Sequence, residues 1–308
     1  MSEHITHMAV YEDCARIVLN TEKFCEAFKT CIKNEYDSGM LASGATDGGR
    51  WAVPILDKFK NGWNDGEQSA EMQQQIAGAL GWLAHRASDL QMKPLFEKIK
   101  ENESGFSSSE MQLYHDAFAM REIYQGGKLG TESSYEIFAP STLEEEMASH
   151  SASNCIDTNQ SETLLAYMWR REFIELHTFT QDNRDIETWV DKFIEYRQSF
   201  SEDLREYIEA FQNPDPQKME RYIYGFNHYN TEDEIIQFVR SIQRNQPYEH
   251  IDIDLAVEKA ENQSQYAQAL RKGYIFISSA NDFFTGKMEK DQLYDILDLK
   301  EKYRHFVV

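Results

Sequence analysis

Apolar residues recur along this chain with the period of an α-helix. Met8, Tyr11, Ala15, Val18 and Leu19 trace one face, and Phe24, Ala27, Phe28 and Ile32 trace a second. Steps of three and four stack such residues on one side of a helix. The stretch Gly39–Gly49 (GMLASGATDGG) is small and glycine-rich, which predicts a loop with Asp47 near its end. A helix is expected from Ser69 to Met92, with Met72, Ile76, Leu80 and Leu83 facing inward. Pro94 should end it, because the residue before a proline is pushed out of the helical region. Ser107 and Glu110 have capping-box spacing and open a helix that runs to the Gly126–Gly127 stop.

Residues 127–160 lose the periodicity and gain Ser, Thr and Gly, the pattern of a long loop or internal boundary. Helical pattern returns at Glu162–Thr178, Ile186–Arg197 and Glu202–Phe211, and Pro214 and Pro216 punctuate the next connection. Thr231 and Glu234 form a second capping-box pair, and a late helix is expected at Asp291–Tyr303. No internal repeat and no long heptad series appears. The expectation is one all-α, multi-helix domain over residues 1–308. Any internal division falls in the loop 127–160, separating 1–126 from a helical portion 161–308.

Composition narrows the classes. Of 308 residues, 31 are Lys or Arg and 53 are Asp or Glu, a net charge of −22, while 41% are hydrophobic. That is too much core material for a disordered acidic tail. Six prolines and 15 glycines are too few for a sandwich or barrel of many short strands. The charge counts against nucleic acid as a partner, since that affinity comes from Lys and Arg meeting phosphates. Cys14, Cys25, Cys31 and Cys155 form no CxxC pair and read as free thiols of a reducing compartment. The opening MSEHITHMAVYED has polar and charged residues where a signal peptide needs an apolar core. No apolar run reaches the roughly 18 residues of a membrane span. A cytoplasmic location is expected.

The segment richest in chemistry is AGALGWLAHRASDLQMKPLF, Ala77 to Phe96. His85 and Asp89 are four apart, so on a helix they leave the same face one turn apart. Imidazole and carboxylate are good ligands for Zn²⁺ and similar ions. The same spacing also serves a plain His–Asp hydrogen bond. Gly81, Ala84 and Ala87 are small enough to let other helices approach, and Leu80 and Leu83 anchor the segment in a core.

At these residues the chain resembles the zinc-dependent phospholipase C-like proteins, relatives of the fungal single-strand nucleases. Their central motif is an apolar, Gly-rich helix, then His, three residues, Asp, and a His–Pro pair four residues on. Gly81, His85, Asp89 and Pro94 match, with Lys93 in place of the ligand histidine. Thr6-His7-Met8 resembles the family's N-terminal ligand segment, and GATDGG places Asp47 where the family has a loop aspartate. The resemblance covers roughly the first 125 residues. It implies a phospholipase C/nuclease-like helical bundle, with metal ligands at His7, Asp47, His85 and Asp89, supported by His115 or Asp116. Asp47 and Lys93 take the catalytic assignments. The chain departs from the family in having no His between His7 and His85, and in having Ala119 four residues after His115. The resemblance therefore implies one or two zinc ions rather than three.

Lys93 can supply part of a missing metal's charge as a point cation, or it pairs with Asp89 at a helix end. Arg50 follows two glycines and could reach a phosphate or carboxylate. His177 reads as a helix-end histidine and His228 as a turn or packing residue. Two functions fit. One is a divergent metal-dependent phosphoesterase-type hydrolase acting on a small phosphate-containing substrate. The other is a non-catalytic helical binding or scaffold protein that kept the fold and lost the metals. Oligomeric state is not legible.

Overall fold

The computed structural model describes residues 4–45, 48–63, 68–102, 107–123, 206–207 and 209–299. Every regular element among these residues is a helix and none is a strand, as the periodicity requires. The runs expected at 162–178 and 186–197, and the segment 127–160, lie outside the described residues. In chain order the helices are α1 (His4–Asn20), α2 (Glu26–Asn34), α3 (Tyr36–Ala45), α4 (Gly49–Lys60), α5 (Ala70–Asn102) and α6 (Ser108–Phe118). After them come α7 (Pro216–Met219), α8 (Glu234–Gln243), α9 (Ile253–Lys259), α10 (Gln265–Phe284) and α11 (Lys290–Ile296). Two compact units result. One comprises Thr6–Ser108 and Asn227–Val308, and the other Met1–Ile5 and Ser109–Phe226.

The first unit is organised on α5, against which α2, α3, α4 and α10 pack. Ile76, Leu80, Leu83, Ala84 and Ala87 are fully buried there, each large apolar side chain contributing roughly 1.5–3 kcal/mol by leaving water. Met72 is only half-buried. The predicted face around α2 is buried at Phe24, Ala27, Phe28 and Ile32, and Cys31 joins it. Helix α1 is buried nearly all round from Ile5 to Val18, so its periodic face reported only part of its packing.

Two sequence expectations are corrected on this unit. Residues 39–45 are helix, not loop. Gly39 serves close packing rather than a turn: a Cβ on Gly81 of α5 would overlap its carbonyl oxygen in α3. Pro94 does not end α5, which continues to Asn102. A proline leaves the carbonyl four residues earlier without its helical donor. Here that carbonyl, on Leu90, accepts from Lys272 Nζ of α10 at 3.3 Å. A tertiary contact thus replaces the local bond that the sequence rule counts as lost.

Two helix boundaries also differ from expectation. The Thr231/Glu234 capping box does not form; α8 starts at Glu234 with Asp233 at its N-cap position. The Asp233 carboxylate instead accepts from the Ser264 backbone (3.1 Å) and hydroxyl (2.5 Å), while Ser264 caps α10 through Ala267 N. The late helix ends at Ile296 rather than Tyr303, with Asp298 in the left-handed region at φ 50°. Arg86 of α5 binds the carbonyls of Leu297 (2.6 Å) and Asp298 (2.5 Å) in that terminal turn.

A buried ionic cluster joins α1 to α8 and α10. Arg16 donates to Asp13 (2.8 Å) and to Glu12, Arg240 donates to Asp13, and the Tyr266 hydroxyl donates to Asp13 at 2.7 Å. Among the described residues Glu12 Oε2 meets no hydrogen-bond donor. Burial pushes the Glu12 carboxyl up to about 7, against the opposing pull of the Arg16 charge.

In the second unit α6 continues into a π-helical turn, Ala119–Ile123, and a second such turn spans Glu220–Tyr224. Glu110 accepts from the Tyr222 hydroxyl (2.6 Å) and pairs with Lys218 (2.5 Å), which fixes α6 to the segment around α7.

Candidate metal centre

Helix α5 presents His85, Asp89 and Lys93 at successive four-residue steps, which puts all three on one face. The spacing is local, but what it meets is not. Helix α1 brings His7 to the same carboxylate, with Nε2 at 3.1 Å from Asp89 Oδ1. His85 Nε2 lies 3.3 Å from Asp89 Oδ2. The two imidazoles stack, with ring centroids 4.2 Å apart and planes 20° from parallel. Both therefore aim Nε2 at one carboxylate.

Helix α3 supplies the third wall. His85 Nδ1 is 2.7 Å from the carbonyl oxygen of Ser43. A carbonyl only accepts, so the proton of that bond belongs to Nδ1. In the neutral ring Nε2 is then a bare lone pair, pointed at the Asp89 oxygen. Two lone pairs at that separation repel unless a cation, a proton or a metal ion, is shared between them. A backbone carbonyl that fixes the tautomer is the usual outer partner of a metal-binding histidine.

Asp89 carries the negative charge of the group. Burial works against that charge, but the hydrogen bonds and charges of His7 and His85 outweigh it and hold the carboxyl well below the ordinary range. Lys93 Nζ also donates to Oδ2, so the pairing of Lys93 with Asp89 is realised. The Asp89 side chain is 9% exposed and that of Lys93 is 56% exposed, which places the lysine at the solvent rim.

The donor set fits a metal ion. His7, His85 and Asp89 offer two nitrogens and an oxygen within 4.8 Å of one another, all buried. Tetrahedral zinc needs ligand atoms about 3.3 Å apart at bond lengths near 2.0–2.1 Å, so modest side-chain adjustment closes the set. Three protein ligands leave a position for water or substrate. Among the described residues no other cluster of this kind occurs.

Asp47 and His177 lie outside the described residues. His115 and Asp116 belong to the second unit and are engaged within it: His115 Nε2 is 3.0 Å from the Tyr222 carbonyl, and Asp116 accepts from the Tyr207 hydroxyl at 3.1 Å. Arg50 stacks over Trp51, its guanidinium 4.0 Å from the ring, beside the Trp51–Trp82 pair at 5.5 Å. His228 is buried against the Tyr266 ring, and its carbonyl accepts from Tyr266 N, a packing role. The Ser43 carbonyl is the group that sequence reasoning missed. A main-chain oxygen has no side-chain signature, and residues 39–45 read as loop.

No helix among the described residues is long and apolar enough to cross a membrane. Comparison with known protein families, characterised proteins and solved structures finds no match to this chain.

Proposed function

We propose that His7, His85 and Asp89 bind one Zn²⁺ ion and that the protein is a metal-dependent hydrolase of the phosphoesterase type. The observation that carries this reading is the convergence of His7, His85 and Asp89 within 4.8 Å, with the Ser43 carbonyl holding His85 by Nδ1 so that its Nε2 faces Asp89. Bound there, zinc supplies Lewis acidity toward a phosphoryl oxygen and lowers the pKa of water to about 7. The chain's own residues do the rest. His7 and His85 orient one another by stacking, Asp89 balances the charge, and burial keeps bulk water out.

A second reading, a helical binding protein without metal, draws on a different contact. Lys93 already supplies a cation to Asp89, so the carboxylate is satisfied without an ion.

Zinc content separates the two. After equilibration with zinc and dialysis, elemental analysis should give close to one ion per chain. His85→Ala should hold less than about a tenth of that, with its circular dichroism unchanged, because a direct ligand dominates affinity while Ala favours helix. Hydrolysis of a chromogenic phosphoester should vanish on chelation and return with zinc. A folded wild-type protein that takes up no zinc overturns the hydrolase reading and leaves the binding protein.

A further inference from the structure

Lys93 stands at the rim of the metal centre, on the same face of α5 as His85 and Asp89. Its ammonium reaches in from the rim to Asp89 Oδ2, the oxygen that also faces His85 Nε2. Among the described residues it makes no other hydrogen bond or ion pair. Its side chain is 56% exposed, so the flexible stem can move away without disturbing the packed core. A divalent ion held by the two imidazoles and Asp89 draws on the same carboxylate charge and stands within a few ångströms of the ammonium. Like charges that close repel strongly even at the effective dielectric of a protein surface.

The rest of the chain makes a local cation useful. At a net charge of −22 the molecular field attracts metal ions and disfavours anions. A phosphate group approaching this centre needs positive charge placed at the centre itself.

We propose that Lys93 is the anion-recognition group of this site, held on Asp89 in the metal-free protein and released by the metal to bind a phosphate group of the substrate. This rests on the zinc reading of His7, His85 and Asp89. Metal binding and substrate recognition are then coupled through one side chain. The ion displaces the lysine, and the displaced lysine completes the phosphate site. The metal-free protein has neither half of that site, so it does not bind phosphate.

The test uses full-length wild type, Lys93→Met and Lys93→Arg, with zinc affinity measured by competition against a chromogenic chelator. Inorganic phosphate binding to the zinc-loaded proteins is measured by titration calorimetry. Lys93→Met should bind zinc about tenfold more tightly and phosphate about tenfold more weakly, since the competing and the recognising charge are lost together. Lys93→Arg should keep phosphate binding. Opposite signs are the signature, because a merely structural lysine would weaken both on removal. Equal zinc affinity in wild type and Lys93→Met, or phosphate binding that survives in Lys93→Met, overturns the inference and leaves the zinc site standing. Failure of both folded proteins to bind zinc removes the zinc site and this inference together.

Discussion

Replacing Gly81 by Ala tests the link between helix packing and the metal centre. A Cβ at this position of α5 would overlap the Gly39 carbonyl oxygen and lie 2.8 Å from the Gly39 carbonyl carbon and 3.0 Å from Ala42 Cβ. Carbon atoms pack at about 3.5–4.0 Å, so α3 must retreat by roughly 1 Å. The obstacle is backbone, which cannot rotate aside as a side chain does. Overpacking of this kind costs about 1–3 kcal/mol, against a gain of up to about 1 kcal/mol from replacing glycine in a helix. The net expectation is a loss of up to about 2 kcal/mol, or up to roughly 8 °C in Tm for a unit of this size, and a larger deficit of about 1–3 kcal/mol beside a glycine replacement without overlap. The retreat also lengthens the 2.7 Å bond from His85 Nδ1 to Ser43 beyond hydrogen-bond range. Zinc affinity should then fall about 10- to 100-fold, as when a metal-binding histidine loses its outer partner.

Gly78→Ala is the control. Its Cβ would meet Ala42 Cβ and the Ser38 carbonyl at 4.0 Å, ordinary contact, so the helix-propensity gain should stand alone. The assays are urea unfolding followed by circular dichroism and zinc competition titration of both variants. If Gly81→Ala proves as stable as Gly78→Ala and binds zinc as wild type does, the close approach of α3 and α5 is not what positions Ser43.

Two further perturbations probe the frame around the site. Burial raises the Glu12 carboxyl from 4.5 to about 7, so its protonation favours the folded state. That contribution is complete below pH 4.5 and lost as the pH rises through 7, a swing of at most about 3 kcal/mol. Glu12→Gln removes the titration, so its stability relative to wild type should rise between pH 5 and pH 8 in urea unfolding; parallel pH profiles would contradict the burial argument. Ser264→Ala removes the N-cap of the 20-residue helix α10 and the hydroxyl donor to Asp233. The expected loss is about 1–2 kcal/mol, and a thermal midpoint equal to that of wild type would show that the cap bears no weight.

The sequence by itself determined what depends on neighbours along the chain. A period near 3.6 made the protein helical, and four-residue steps put His85, Asp89 and Lys93 on one face of α5. The small residue at Gly81 marked a close approach before its partner was known. Tertiary structure alone decided what depends on distant groups or on main-chain atoms. His7 reaches Asp89 across 82 positions, and the histidine tautomer is set by a carbonyl of Ser43, 42 positions away. Glycines read as part of a loop became a packed helix because α5 offers them a surface with equally little bulk. Pro94 failed as a terminator because Lys272, 182 positions from Leu90, binds the carbonyl it leaves open. Local rules describe which hydrogen bonds a segment can make alone, and the folded chain provides partners from elsewhere for those it cannot.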